Sequence, residues 1–241
     1  MRGMLRIQGH YLIDGTAAAF IGLLAVFVAA ATAAASEFWL GSAMLDLDRA
    51  ERAFAYRTQG LLAIRLGVCV LSIFLGLHGY SRVQRRAAAF FVSSRDGLFA
   101  FGVAKGGAAG LTLVGFTLAV GLAYSAVGIL GTPYFSFTAT DLRLIADALC
   151  EGFLLLFLQG IVTTLWDSAF AALPACALFW VLEANAHDPT VPWVEAALTL
   201  VRHGRIGPEG PATYGDPLVH VGVVAFAYAI LSWLFARKDV N

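Results

Sequence analysis

The ionisable residues within long apolar runs of this sequence include Arg65, Asp147 and Glu151. Asp147 and Glu151 are four residues apart, so they share one face of a helix, and two carboxylates on one face could form a cation or proton site. The alternative is structural, because charged groups at membrane depth are costly unless they are paired. In that case both carboxylates lie in the outer headgroup region near Arg143, and Arg65 pairs with one of them inside the bundle. We favour the structural interpretation.

The sequence lacks the motifs of enzymes that bind nucleotides or hydrolyse bonds. A phosphate-binding loop requires G-x-x-x-x-G-K-[ST], and the nearest segment, Gly102 to Gly106, lacks both the glycine before Lys105 and the hydroxyl after it. Neither H-E-x-x-H nor G-x-S-x-G occurs, and the three cysteines are not spaced as metal ligands. We therefore assign no catalytic, cofactor-binding or metal site, and we expect that this chain is not an enzyme.

The composition excludes a water-soluble protein. Of the 241 residues, 59% are hydrophobic and 13% are charged, which is about half the charged fraction of an ordinary globular domain. The mean hydropathy is +0.77. Sixteen basic residues balance sixteen acidic residues, so the chain has no basic surface for nucleic acid. The sequence therefore predicts an integral protein of the lipid bilayer that has no nucleic-acid partner.

The uncharged stretches are long enough to cross a bilayer core about 30 Å thick. They predict one all-α transmembrane domain over residues 1–241 with six spans, at 15–36, 58–80, 97–129, 142–165, 167–182 and 217–236. A short amphipathic helix at the membrane interface precedes the first span. The connections include a link at 82–101 and two long outer loops at 37–57 and 183–216, the second with a helical segment at 193–201.

The distribution of arginine and lysine predicts the orientation. With six spans both termini are on one side, whose segments contain nine basic residues against six on the other side. An excess of basic residues is typical of cytoplasmic segments, so we expect both termini in the cytoplasm. The start of the sequence imitates a secretory signal, but its apolar run is longer than the core of such signals. We interpret it as a retained first helix.

Glycines recur every fourth residue at the start of the third predicted span, at Gly102, Gly106 and Gly110. Small residues at this spacing form a flat strip on which another helix can pack closely. The pattern predicts a helix-packing face, and it does not by itself indicate a function.

Two segments resemble a known family. Between Arg82 and Gly106 a cluster of arginines is followed by Ser94-Arg95 and an aliphatic stretch up to Lys105, and the last span ends in Phe235-Ala236-Arg237-Lys238-Asp239. Both resemble permease subunits of type-2 ABC exporters, whose link often reads proline or a small residue, any residue, Ser-Arg, an apolar stretch and Gly-Lys. Here Lys105-Gly106 reverses the last pair, and Val92 stands where proline is common. The layout of the whole chain is similar, and the motifs cover about 30 residues.

The resemblance implies half of the membrane part of an ATP-driven exporter in the cell membrane of a bacterium or archaeon. Two permeases, identical or paired with a sister subunit, would form the path, and each would dock on a separate ABC ATP-binding subunit that holds ATP and magnesium. The link would be the coupling element, through Arg85, Arg86, Phe90, Phe91, Ser94, Arg95 and Lys105. No polar signature marks the path, which favours an apolar or amphiphilic cargo, whether lipid, peptide or drug.

Two other classes of function remain open at this point. The chain could be a membrane anchor or scaffold subunit of an ATPase-linked envelope or motility machine, in which case an outside partner would bind the loop at 183–216. It could also be a multi-pass membrane enzyme, in which case Asp147 or Glu151 would be needed for activity.

Overall fold

The computed structural model describes residues 14–36, 48–84, 86, 95–166, 169–184, 204–207, 210–213 and 217–237. Within these residues the fold is helical apart from one short hairpin. The elements are α1 (Gly15–Ala34), α2 (Arg49–Tyr80), α3 (Arg95–Gly131), α4 (Ala139–Leu165), a 3-10 helix (Ala169–Ala172), α5 (Leu173–Ala184), β1 (Gly204–Gly207), β2 (Gly210–Thr213) and α6 (Pro217–Arg237).

Five of the described helices are long and apolar enough to cross a membrane: α1, α2, α3, α4 and α6. The chain is therefore a predominantly helical, multi-pass membrane protein. The span predicted at 167–182 corresponds to the 3-10 helix and α5, which has 12 residues and is about 18 Å long. The predicted interfacial helix before the first span and the outer helical segment at 193–201 lie outside the described residues.

The hairpin is a feature that the sequence analysis did not predict. β1 and β2 pair antiparallel, with Gly204 opposite Thr213 and Gly207 opposite Gly210. The glycine- and proline-rich sequence there indicated only turns, because two four-residue strands leave too short an alternating pattern to recognise.

Capping side chains extend two helices beyond their apolar runs. The Asp48 carboxylate accepts hydrogen bonds from the backbone at the start of α2, while Glu51 bonds back to the Asp48 backbone. Thr138 and Asp141 form the same reciprocal capping box on α4. Such caps satisfy the backbone N–H groups at a helix start. As a result α2 begins at Arg49, so the second half of the predicted outer loop at 37–57 is helical, and α4 begins at Ala139.

The longest helices extend well past the bilayer core. α3 has 37 residues and is about 55 Å long, and α2 has 32 residues and is about 48 Å long. Because α3 already begins at Arg95, residues 95–101 of the predicted link belong to this helix. The separate part of the link is correspondingly shorter.

Contacts between side chains give the directions of the helices. α1 runs antiparallel to α2, because residues at the start of α1 contact residues at the end of α2. Asp14 Oδ2 lies 3.6 Å from His78 Nε2, and Phe20 stacks on Phe74. α2 and α4 run parallel, since Arg57 pairs with Asp141 and Arg65 with Glu151.

α6 also runs parallel to α4: Tyr228 packs on Phe157, and Leu231 lies against Gly160 one turn later. It runs antiparallel to α3, because Phe235 meets Phe101 near the beginning of α3. The helices therefore form two sets, α1 and α3 in one direction and α2, α4 and α6 in the other.

The core lies between α2, α3 and α4, and α2 and α4 share the most extensive contact of the described helix pairs. Its fully buried side chains include Ile64, Leu71, Leu75, Leu113, Leu155 and Leu156. Large apolar side chains such as Leu23, Leu122 and Phe226 are about 70% exposed on the outside of the bundle. Acyl chains solvate such a surface as well as a protein core does, which agrees with a membrane location.

Candidate functional site

An ion pair joins the middles of α2 and α4. Arg65 Nε lies 2.8 Å from Glu151 Oε2, and its Nη2 lies 3.3 Å from Glu151 Oε1. The pair is therefore bidentate, the geometry in which guanidinium and carboxylate groups bind most strongly. Glu151 is 1% exposed and the Arg65 side chain is 15% exposed. Glu151, one of the two carboxylates predicted as partners for Arg65, makes this ion pair.

The two carboxylates of α4 differ in burial, and their headgroup location stays a prediction. Glu151 is the thirteenth of 27 residues in α4, about 18 Å from the start of the helix, and it is enclosed by neighbouring helices. Asp147, one turn closer to the start of α4, is partly exposed. The two carboxylates thus share a helix face but not an environment, because Glu151 is sealed inside the bundle.

A second polar network surrounds Asp141 where α3 connects to α4. Asp141 is fully buried. Its Oδ1 accepts hydrogen bonds from Arg57 Nε (2.8 Å) and Tyr124 Oη (3.0 Å). Its Oδ2 accepts from the backbone N–H and the hydroxyl of Thr138. One carboxylate therefore holds α2, α3 and α4 together, and it compensates the buried part of the Arg57 charge.

Three aromatic rings, those of Tyr56, Tyr124 and Phe135, pack together beside this network. Tyr56 and Tyr124 stack with ring centroids 5.2 Å apart, and Phe135 packs edge-on against both rings. The Tyr56 hydroxyl donates to the Tyr124 carbonyl at 2.6 Å. Sequence analysis did not single out Asp141, although the Thr138-x-x-Asp141 capping pattern was available as a signal. Its partners on α2 and α3 are far away in the chain.

Lys105 is buried near the beginning of α3. It has no exposed surface, its Nζ donates to Gln84 Oε1 at 2.9 Å, and it lies 6.0 Å from the centroid of the Phe101 ring. Gln84 follows the end of α2 and so belongs to the link, which this hydrogen bond ties to α3. The resemblance implied that Lys105 contacts an ATP-binding subunit. In the structure it instead faces inward.

The remaining link residues are described only in part. Arg86 is exposed, and Arg95 is the first residue of α3, although its side chain is not described. Four other residues of the predicted coupling set lie outside the described residues: Arg85, Phe90, Phe91 and Ser94.

The predicted glycine strip on α3 faces two different helices. A side chain on Gly102 would meet Phe235 of α6, and one on Gly106 would collide with Tyr228 of α6. One on Gly110 would meet Phe153 of α4. The Tyr228 hydroxyl also donates to the Val103 carbonyl, so α6 is in close contact with the backbone of α3.

Gln159 ties the 3-10 helix to α4. Its Nε2 donates to the Ala171 carbonyl at 2.9 Å and to Thr163 Oγ1 at 3.0 Å, and its side chain fills the space opposite Gly76 of α2. The hydrogen bond to Thr163 lies within α4, while the one to Ala171 joins two elements.

The polar side chains described above hold charged groups in fixed positions between the helices. Over the residues that the structure describes, no group of three or more His, Cys, Asp or Glu side chains could hold a metal ion. The polar contacts instead connect helices at three depths: Arg57–Asp141 at one end, Arg65–Glu151 in the middle, and Lys105–Gln84 at the other end. Comparison of the chain with family models, curated proteins and solved structures finds no match.

Proposed function

We propose that this chain is the transmembrane subunit of an ATP-driven exporter of the type-2 ABC class, located in the cell membrane of a bacterium or archaeon. It works as a pair with a second permease, identical or a sister subunit. It has no nucleotide site of its own, and separate ATP-binding subunits drive it through the connection between α2 and α3. The observation that carries the proposal is this connection: its arginines, its Ser94-Arg95 and Lys105 motif, and its hydrogen bond to α3.

The directions of the helices support six crossings. α4 ends at Leu165 on the side where α2 ends, whereas α6 starts on the side where α2 starts, because α2, α4 and α6 run parallel. The chain between residues 166 and 216 therefore has to return across the bundle, and this segment contains α5. Six crossings leave both termini and the α2–α3 connection on one side, and the excess of basic residues makes that side cytoplasmic.

The hydrogen bond between Lys105 and Gln84 gives the connection a mechanical role. A displacement of the link by an ATP-binding subunit would pass to α3 through this contact, as well as along the backbone. We therefore assign Lys105 the role of holding the link in position, and the exposed Arg86 the role of meeting an acidic surface on the partner. Such charged contacts at the edge of an interface set orientation and association rate.

The decisive experiment is purification of the chain from its native membrane in mild detergent, followed by mass spectrometric identification of the proteins bound to it. We expect an ATPase with a phosphate-binding loop, in a one-to-one ratio with this chain. Absence of any ATPase, in a detergent that preserves known exporters, would overturn the proposal and favour a membrane enzyme. An ATPase whose activity no cargo changes, together with a stable extracytoplasmic partner, would favour the scaffold function.

Charge reversal separates coupling from folding. Arg86→Glu should release the ATPase, or abolish its stimulation by the permease, while this chain stays folded. The control is Arg143→Glu, which reverses an exposed arginine in the second turn of α4. An acidic residue is tolerated near a helix start, so this variant should keep the ATPase bound. Equal effects of the two reversals would exclude the assigned role of Arg86.

A further inference from the structure

Lys105 is a buried lysine for which the described residues include no anionic partner. Its polar contact is the neutral amide oxygen of Gln84, and no carboxylate among the described side chains lies within ion-pair distance. An ammonium group removed from water is costly unless a counter-charge accompanies it. An ammonium group also has three N–H donors, more than one amide oxygen satisfies. The Lys105 amine therefore has unused N–H donors that an anionic acceptor would satisfy.

A second buried polar group borders the same turn of α3. The Tyr80 side chain is fully buried, and its hydroxyl has no hydrogen-bond partner. This hydroxyl lies 3.1 Å from where a Cβ on Gly106 would be, so the missing side chain of Gly106 lets it approach the α3 backbone beside Lys105. Unpaired buried hydroxyls are uncommon in native proteins and call for an explanation. The Tyr80 hydroxyl therefore lacks an acceptor next to the turn of α3 that carries Lys105.

The position of Lys105 indicates where such a ligand would come from. Tyr80 is the last residue of α2, and Phe235, which packs on both Tyr80 and Phe101, lies near the end of α6. Lys105 is thus on the side of the bundle where α2 and α6 end. From Arg82 to Lys105 the sequence has five basic residues and one acidic residue. Basic pockets between helices at a membrane surface bind anionic lipid headgroups.

We propose that Lys105, with Tyr80 beside it, binds the phosphate of an anionic phospholipid of the adjacent leaflet. Gln84 is half-buried. In the absence of lipid, its amide oxygen accepts the Lys105 hydrogen bond that a phosphate oxygen would otherwise accept. The lipid replaces this amide as acceptor and so loosens the bond between the link and α3. The chemistry, a phosphate oxygen on an ammonium group, is shared by free phosphate, and the experiment distinguishes the two sources. The proposal does not depend on the exporter function.

The test uses the purified full-length chain in vesicles of phosphatidylcholine, with or without phosphatidylglycerol, and in phosphatidylcholine vesicles with inorganic phosphate in the buffer. Retained phosphatidylglycerol is counted by native mass spectrometry, and the melting temperature is recorded in each case. We expect phosphatidylglycerol to remain bound and to raise the melting temperature, and inorganic phosphate to do neither. An equal rise with inorganic phosphate would refute a lipid as the ligand.

Two variants locate the site. Lys105→Met should lower the affinity for phosphatidylglycerol about tenfold or more, since a hydrogen bond to a charged group contributes this much. The matched control, Arg237→Met, removes an exposed cation at the same end of the bundle and should retain the bound lipid. Undiminished retention by Lys105→Met, or no retention by the unaltered protein, would overturn the proposal.

If Lys105→Met does not fold, Tyr80→Phe tests the proposed lipid site instead. The hydroxyl that it removes has no partner without lipid, so in phosphatidylcholine the variant should be at least as stable as the unaltered protein. With phosphatidylglycerol the rise in melting temperature should shrink. A purely structural Tyr80 would change stability equally in both vesicles, and that outcome would count against the site.

Discussion

Asp141 makes four hydrogen bonds with no exposed surface, so its side chain should be among the least replaceable in the protein. Asp141→Ala removes the acceptor of Arg57 and Tyr124 together. We expect the free energy of unfolding to fall by about 3 kcal/mol, as when one partner of a buried ion pair is removed. Denaturant unfolding in detergent measures this change.

The control for Asp141→Ala is its neighbour in the chain. Leu142 is 60% exposed on the outside of α4, so Leu142→Ala should change the free energy of unfolding by no more than about 0.5 kcal/mol. Similar losses for the two variants would show that the Asp141 network does not hold the three helices together.

The Arg65–Glu151 pair has a different signature, because the two charges neutralise each other. Glu151→Leu alone leaves a guanidinium group at membrane depth and should destabilise the protein by about 3 kcal/mol. Adding Arg65→Met should restore most of this loss, since an apolar pair of similar size needs no compensation. A double-mutant cycle on unfolding in detergent measures the coupling.

An additive cycle would contradict this interpretation of Arg65 and Glu151. It would mean that each residue has its own partner, and Asp147, which shares a helix face with Glu151, would be the first to examine. Loss of the proposed transport activity in a stable double variant would instead assign the pair a direct functional role.

The sequence identified the members of the central pair but not their depth. Arg65, Asp147 and Glu151 were recognisable because charges stand out in apolar runs. Which carboxylate pairs with Arg65 depends on the register of α2 against α4. That register arises from packing contacts such as Gly152 against Val68, and the sequence of one helix does not encode it.

At the scale of elements, the glycines of α3 differ in what surrounds them. A Cβ on Gly106 would collide with the Tyr228 ring, whose hydroxyl is bonded to Val103, whereas nothing lies within 4 Å of a Cβ on Gly115. Gly106→Ala should therefore destabilise the protein by about 1–3 kcal/mol through overpacking. Gly115→Ala should be neutral or stabilising by up to about 1 kcal/mol, because alanine favours the helix.

Melting temperatures of these two variants in the same detergent check the prediction. Their substitutions are chemically identical and lie in one helix, so helix propensity cancels and the difference reports the contact with α6. Equal melting temperatures for the Gly106→Ala and Gly115→Ala variants would mean that α6 does not approach α3 closely.

The extents of the helices were predicted where hydrophobicity alone sets them. The end of α2 at Tyr80 and the end of α4 at Leu165 coincide with the ends of apolar runs. The starts of α2 and α4 were not predicted, because capping boxes continue both helices into polar sequence. A search for Asp-x-x-Glu and Thr-x-x-Asp would have found both starts.

At the scale of the whole molecule, the helix directions predict which connections share a side of the membrane. With the orientation that we propose, single cysteines at positions 50 and 136 should react with a membrane-impermeant maleimide in intact cells, in a chain whose native cysteines are replaced. Those at Arg82, Trp166 and Arg237 should react only after permeabilisation. Labelling of the cysteine at position 237 in intact cells, as at position 50, would mean that the segment after α4 does not cross the membrane.

Composition and hydropathy by themselves determined that this chain is a helical membrane protein, since too few charged residues exist to cover a soluble fold. They also located the apolar helices, because an apolar run of sufficient length has few alternatives in a bilayer. Only the tertiary structure decided which charges meet, that Lys105 faces inward and that Asp141 connects three helices. The physical reason is that these contacts join residues 17 to 86 positions apart, and their geometry depends on how neighbouring helices pack, not on the sequence of either one.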